Sequence, residues 1–241
     1  MLIKTRGIVF RQVKYGESSF VLDIFTEEQG LKSFMVHGVR KSKPSVAPAL
    51  VQVMSLVEVV AYDKRTTTLA KVKEMKSAWP FRQLPFSVAK SAIGQFVLEV
   101  TRSALRESEA HQELFDFIFS ALIHLDESDK GLALFPLIYL LELGRLIGFQ
   151  IQPAPESGAW YFDLQEGIFL REAPYHRYYL EPELSATLDQ VMQLNLESSH
   201  EIRIPKASRM ELLEHLLLFY RLHLEQFGPI HSHHILSVIL K

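Results

Sequence analysis

Apolar residues follow two different spacings along the chain. Before residue 76 they alternate with polar residues in short segments separated by turn residues, and this period of two predicts β-strands. The predicted strands are Ile3–Val13, Phe20–Phe25, Leu31–Val39, Val51–Tyr62 and Thr66–Met75. Five short strands with no helix between them favour a small closed or partly open barrel of the oligonucleotide-binding type, although SH3-like barrels have a similar strand count.

After residue 80 the apolar residues recur at the spacing of one helix face. The predicted helices are Ser87–Arg106, His111–Leu125, Leu132–Ile147, Pro182–Leu194, Ser208–Phe227 and Ile230–Leu240. The third of these is apolar on most sides and is therefore expected to be the central helix. We expect Pro136 in its first turn, where a missing N–H is tolerated, and Gly148 at its end.

A segment rich in proline and glycine interrupts the helices. Residues 152–174 contain two short β-like runs, Ala159–Leu164 and Ile168–Arg171, which predict a hairpin. The predicted fold class is α+β: a five-stranded OB-fold barrel over residues 1–80, followed by a mainly α-helical domain over residues 81–241 with a small β-hairpin insert.

The formal net charge of -2 conceals an uneven distribution. Residues 1–80 hold 13 Lys+Arg against 7 Asp+Glu, whereas the remainder holds 13 against 21. A basic first part on a nearly neutral chain indicates a face for a polyanion, with an ordinary solvated surface as the alternative.

Composition and sequence motifs exclude several classes of function. The absence of cysteine excludes disulfides, thiolate metal sites and thiol nucleophiles. The start has no secretory h-region, and no apolar run reaches the ~18 residues of a membrane span, so a cytoplasmic protein is expected. Motifs for nucleotide, zinc-protease or serine-hydrolase chemistry are missing, so we expect no enzyme activity and no cofactor.

Three groups of cations are candidate phosphate contacts. The first is a glycine-containing loop after His37, and the others lie on the first strand and at a hairpin tip. The candidate DNA-binding residues are Lys4, Arg11, Lys14, His37, Arg40, Lys41, Lys43, Lys64 and Arg65, with Arg6 also on the first strand. Among the barrel aromatics, Tyr15 and Tyr62 are expected to be free for base stacking, whereas Phe10, Phe20, Phe25 and Phe34 are expected in the core.

The segment His231-Ser232-His233-His234 looks like a metal-binding tract, but its imidazoles do not converge at helical spacing. A surface or N-cap role is the expectation.

The order of these features resembles the RecO family of bacterial recombination mediators. The matching segments are Gly7–Phe10, Tyr15–Ser19, Ile24–Gly30, Val36–Lys43, Leu140–Phe149 and Tyr220–Leu224. The resemblance implies binding of single- and double-stranded DNA, annealing of complementary strands, contact with the C-terminal tail of single-strand DNA-binding protein, and pairing with RecR to help load RecA. Candidate residues for the acidic tail are Arg102, Arg106 and Arg145.

Two features depart from the family pattern. Many members have four zinc-binding cysteines in the insert, whereas Pro153–Pro174 contains none, so we predict no structural zinc and expect Trp160, Tyr161, Phe162 and Phe169 to pack together instead. His37 stands where we expect lysine in many relatives, and a neutral imidazole attracts phosphate less. A non-catalytic protein-interaction adaptor is the alternative function; an unrecognised hydrolase is a third.

Overall fold

The computed structural model describes residues 1–39, 46–63, 69–105, 110–156 and 158–240. The chain forms two compact units. The first comprises Met1–Arg82 and Leu105–Ile123, and the second comprises Gln83–Ala104 and His124–Lys241. The predicted division of domains at residue 80 stays a prediction; the compact units place residues 105–123 with the barrel.

The first unit contains a closed five-stranded barrel. Its strands are β1 (Leu2–Tyr15), β2 (Ser19–Thr26), β3 (Gly30–Val36), β4 (Leu56–Tyr62) and β5 (Leu69–Trp79). They pair in the order β1-β2-β3-β5-β4; β3 and β5 run parallel, and the other neighbours run antiparallel. The inward residues, among them Leu22, Phe34 and Val59, form a buried core. The predicted OB-type barrel is confirmed.

Close packing and a bulge shape the first strand. A Cβ atom at Gly7 would lie 2.4 Å from Ile24 Cγ2, so only glycine fits between β1 and β2 at this point. The register between these strands shifts from Val9 to Arg11, which makes Phe10 the extra residue of a bulge. The bulge changes the side-chain alternation along β1, so its second half follows a different pattern from its first.

The prediction of a strand from Val51 was wrong over its first residues. Pro48–Val51 forms a short 3₁₀ helix with proline in its first turn, and Met54 adopts φ 76 before β4 begins at Leu56. Val51 is nevertheless buried in the barrel core. The β-branched run therefore indicated correctly that Val51 is buried, but Val51 belongs to a turn of 3₁₀ helix and not to a strand.

The helices confirm the predicted mainly helical region. They are α1 (Val88–Ala104), α2 (Gln112–Glu127), α3 (Phe135–Leu146), α4 (Pro182–Met192), α5 (Lys206–His223) and α6 (Ser232–Ile239). Helix α3 is buried on most sides, and buried hydrogen bonds join it to its neighbours: Tyr139 Oη lies 2.6 Å from Thr101 Oγ1, and Tyr220 Oη donates to Leu140 O at 2.6 Å. No helix within the described ranges is long and apolar enough to cross a membrane.

The predicted ends of α3 are confirmed. Pro136 lies in the first turn. At the other end, Gly148 adopts φ 94, and the backbone N–H groups of Gly148 and Phe149 donate to Arg145 O and Gly144 O. This pair of bonds satisfies the last carbonyls of the helix, and glycine accepts the left-handed conformation without steric cost.

The insert forms a small three-stranded sheet. Its strands are β6 (Tyr161–Asp163), β7 (Ile168–Leu170) and β8 (Tyr179–Leu180), in the order β7-β6-β8. The carboxylate of Asp163 accepts the backbone N–H groups of Gln165 and Glu166 and fixes the turn between β6 and β7. The predicted hairpin is therefore present, and β8 adds a third strand from outside the predicted insert.

Candidate nucleic-acid interface

Five of the predicted phosphate contacts lie outside the described residues: Arg40, Lys41, Lys43, Lys64 and Arg65. The other four are described and lie on the barrel or directly after one of its strands. Lys4, Arg11 and Lys14 belong to β1, and His37 follows β3. The surroundings of these four can therefore be compared with those of the remaining barrel cations.

Most described cations of the barrel are bound to carboxylates. Ion pairs join Lys4 to Glu58 at 4.0 Å, Arg11 to Asp23 at 3.6 Å, Lys32 to Asp63 at 2.6 Å, and Lys76 to Glu74 at 2.9 Å. Asp23 is also held in place, because Ser33 Oγ donates to it at 2.7 Å. Arg11 and Lys4 remain exposed, but a phosphate must compete with the carboxylate already beside each of them.

Three exposed lysines of the barrel form no ion pair with any described residue: Lys14, Lys71 and Lys73. Lys14 is the last residue but one of β1, and Lys71 and Lys73 lie in β5. Because none of the described carboxylates lies within ion-pair distance of these ammonium groups, they are the strongest described candidates for phosphate contact.

The two exposed tyrosines of the barrel lie beside these three lysines. Tyr15 follows Lys14 directly and is 61% exposed. Tyr62 ends β4, is 51% exposed, and is the register partner of Lys71. The four phenylalanines expected in the core, Phe10, Phe20, Phe25 and Phe34, are buried, so the predicted division between core and exposed aromatics is confirmed.

Sequence reasoning missed Lys71 and Lys73. Both lie in the predicted fifth strand, where lysine occupies alternate positions in the run Leu69-Ala70-Lys71-Val72-Lys73. That alternation is the signal that could have identified them, because residues two apart on a strand lie on one face.

His37 forms a local hydrogen bond: its Nδ1 lies 3.0 Å from Ser19 Oγ at the start of β2. This contact orients the imidazole beside the end of β1, where Tyr15 pairs with Ser19. His37 therefore has a structural partner, and its role in DNA binding stays a prediction.

Arg6 has a different role from the other cations of β1. Its guanidinium donates to both carboxylate oxygens of Glu27, at 2.8 and 2.7 Å, and to Asp116 at 3.0 Å. It also lies over the rings of Phe115 and Phe119, at 5.4 and 5.1 Å from their centroids. Arg6 thus joins the barrel to α2 within the first unit, and its charge is committed to that contact.

The contact between Arg6 and Glu27 predicts that the protein loses part of its stability in acid. Hydrogen bonding from Arg6 lowers the pKa of Glu27 from 4.5 to about 2, despite partial burial. The contribution is present above pH 4.5 and is lost as the pH falls towards 2, because the protonated carboxyl no longer attracts the guanidinium. The Glu27→Gln variant is expected to be less stable at pH 7, by about 1 kcal/mol for this partly exposed pair.

Urea unfolding at pH 7, 4.5 and 3 measures this effect. Wild type should lose more stability than Glu27→Gln between pH 4.5 and 3, and the two should converge at low pH. Glu225→Gln, at an exposed position of the second unit, is the matched control. Parallel pH profiles for wild type and Glu27→Gln would show that the Arg6 contact contributes nothing to acid sensitivity.

Comparison with known proteins supplies the family. The description "Recombination protein O N terminal" matches residues 1–81, and "Recombination protein O C terminal" matches residues 85–233. The chain belongs to the RecO family. Proteins named "DNA repair protein RecO" are similar over almost the whole length: 33% identical in Phocaeicola vulgatus and 32% in Bacteroides fragilis, each with 98% of both chains covered, and 34% in Flavobacterium johnsoniae, with 99% of both chains covered.

The zinc site of many RecO family members does not fit this chain. The insert contains no cysteine, and the described residues include no cluster of three or more His, Asp or Glu side chains that could hold a metal ion. In place of a cysteine cluster, Phe162 of β6 is fully buried between Phe169, at 4.9 Å between ring centroids, and Phe219 of α5, at 6.3 Å. Apolar packing therefore connects the insert to the helices.

The other two insert aromatics do not join this pair, which corrects the expectation of one four-ring cluster. Tyr161 packs against Tyr179 with ring centroids 5.7 Å apart. Trp160 lies beneath the guanidinium of Arg171, 3.9 Å from the ring centroid, and donates through Nε1 to Glu156 O. The alternation of β6 explains the position of Tyr161, because neighbouring residues on a strand lie on opposite faces; Trp160 precedes the strand.

The histidine tract lies at the surface, where His231 and His234 are exposed, but no histidine side chain caps α6. His231 is the N-cap residue of α6 but forms no side-chain capping bond. The carboxylate of Glu99, on α1, instead accepts the backbone N–H groups of His231 and Ser232, both at 2.9 Å. A carboxylate here neutralises the positive end of the helix and joins α6 to α1.

The three arginines predicted for the tail of a partner are not brought together by described contacts. Arg106 lies outside the described residues, and Arg102 is exposed near the end of α1. Arg145 forms three hydrogen bonds with Glu142 on the same helix. Their role in partner binding stays a prediction, and Glu142 is the competitor that an acidic tail would have to displace from Arg145.

Proposed function

We propose that this chain is a DNA-binding recombination mediator that binds single- and double-stranded DNA, anneals complementary strands, and helps RecR to load RecA. The single observation that favours DNA as the ligand is the coincidence of three unpaired lysines with the two exposed tyrosines of the barrel. Cations without carboxylate partners attract phosphates, and exposed rings stack on bases. Family membership supports the same conclusion, because the relatives are named as DNA repair proteins.

Annealing follows physically from such a surface. Two complementary strands repel each other through their phosphates, and a protein that neutralises phosphates on both lowers this repulsion. No bond is made or broken, so the proposed activity needs neither a catalytic residue nor a cofactor.

A protein that handles DNA in a bacterium works where the chromosome lies, so we propose that it is located in the cytoplasm with the nucleoid. We also propose that the helical region binds the acidic, apolar C-terminal tail of single-strand DNA-binding protein.

A strand-annealing assay tests the proposed activity. Two complementary oligonucleotides, one with a fluorophore and one with a quencher, are mixed at low concentration with and without the purified protein. We expect the protein to raise the annealing rate about 10-fold or more at 50 mM salt, by the removal of phosphate repulsion. Non-complementary strands are the control and should give no quenching.

An annealing rate equal to that without protein would contradict the mediator function. If the protein also fails to bind DNA, the non-catalytic interaction adaptor becomes the better account of the fold.

A further inference from the structure

Three features meet on the outer face of β1, β4 and β5. Tyr62 is the last residue of β4, the middle strand of the three, and its ring is half exposed. Its register partners are Leu2 on β1 and Lys71 on β5. Directly opposed side chains lie about 5 Å apart, so the tyrosine ring has an exposed apolar neighbour on one side and an unpaired ammonium group on the other.

A second lysine lies near the same ring, at a bulge in β5. The register of β5 against β4 shifts between Val60 and Ala61, which pair with Glu74 and Val72. Lys73 is therefore the extra residue, and it is exposed together with its neighbour Glu74. Its Nζ lies 6.0 Å from the centroid of the Tyr62 ring. Lys71 and Lys73 thus both lie on the face of the Tyr62 ring, Lys71 as its register partner and Lys73 at the bulge.

Charge along this face is divided between its two ends. The carboxylates of Glu58 and Glu74 lie further along β4 and β5 and are paired with Lys4 and Lys76. At the end with Tyr62, neither Lys71 nor Lys73 forms an ion pair with a described carboxylate, and Glu74, which follows Lys73, is paired with Lys76 instead. Lys76 is the main cause of the lowered pKa of Glu74, and Lys73 contributes less. A ligand that places negative charge beside a flat apolar group complements this end, and a single-stranded nucleic acid has both in every nucleotide.

We propose that Tyr62, Lys71 and Lys73 form a binding site for single-stranded nucleic acid, in which an unpaired base stacks on the Tyr62 ring and the lysines hold the adjoining phosphates. This site rests on the proposed DNA-binding function. It specifies which face of the barrel binds DNA, and it predicts that this face prefers single strands to duplex. A paired base cannot stack on the ring, because its faces are already covered in the duplex. The site therefore discriminates single strands from duplex.

Fluorescence-anisotropy titration with a labelled thymine oligonucleotide and with a duplex of equal length tests the site. The Tyr62→Ala variant is expected to bind the single strand about 5-fold or more weakly, and to bind the duplex as wild type does. The Tyr62→Phe variant keeps the ring and should retain single-strand affinity. The Lys71→Ala/Lys73→Ala variant should reduce the salt slope for single strands by about 1.4.

Tyr175→Ala is the matched control, because Tyr175 is fully exposed in the other unit. Thermal unfolding of each variant checks that the barrel is intact. We expect it to be intact in the Tyr62 variants, because Tyr62 is exposed. Unchanged single-strand binding by Tyr62→Ala, or equal weakening for single strand and duplex, would overturn this site while wild-type binding still supports the proposed function. Failure of the wild type to bind either DNA would overturn the function and the site together.

Discussion

Replacement of Phe162 by alanine is expected to lower the free energy of unfolding by about 3–5 kcal/mol. Phe162 is fully buried, and its ring packs against Phe169 and Phe219. Alanine would remove the ring that packs against Phe219 of α5 and would leave a cavity that a sheet of two- and three-residue strands cannot easily close. Urea unfolding followed by circular dichroism measures the effect.

Two controls separate apolar packing from metal binding. Tyr175→Ala removes a fully exposed ring near the same sheet and should change stability by less than about 0.5 kcal/mol. Treatment of the wild type with a chelator should leave its melting temperature unchanged, because the predicted zinc content is zero. A loss below about 1 kcal/mol for Phe162→Ala, or one equivalent of tightly bound zinc in the purified protein, would contradict this account of the insert.

The second large effect is expected in the basic segment, residues 40–43, which lies outside the described residues. Replacement of Arg40 and Lys41 by alanine should weaken DNA binding regardless of base sequence and should flatten its salt dependence. Each cation that neutralises a phosphate on a single strand contributes about 0.7 to the slope of log affinity against log salt, so the double variant should lose about 1.4. The same substitutions should leave thermal stability nearly unchanged if the two residues act on DNA alone.

A control of equal charge is available in the helical unit. Lys130 and Lys206 are both exposed there, and their double replacement by alanine lowers the net charge by the same amount. That variant should bind DNA with the salt slope of the wild type. An unchanged slope in the Arg40 and Lys41 variant, or an equal loss in the control, would refute a specific role for the basic segment.

The period of the apolar residues was sufficient to predict the barrel and the helices. Alternation up to Met75 gave the five strands, and the apolar run before Gly148 gave the central helix with both its ends. Alternation and helical spacing depend only on residues that are close together in the chain, and the structure agrees with both. The exception at Pro48–Val51 arises because β-branched residues that are buried need not be paired in a sheet.

Long-range electrostatic contacts could not be predicted in this way. Nothing local to Arg6 reveals that its partners are 21 and 110 residues away, so it resembled the other cations of β1. The capping of α6 by Glu99 spans more than 130 residues and was likewise hidden. The Lys73 bulge depends on how β5 pairs with β4, which is a property of two strands together.

The most direct test of DNA binding is a titration of the wild-type protein with a labelled single-stranded oligonucleotide at 50 and 200 mM salt. Contacts from Lys14, Lys71 and Lys73 alone should weaken binding about 20-fold between these two concentrations, and contacts from the basic segment should add to this. Binding that falls by this factor or more is the predicted result. Binding that is absent at 50 mM salt, or that does not change with salt, would contradict a barrel that holds DNA through its phosphates.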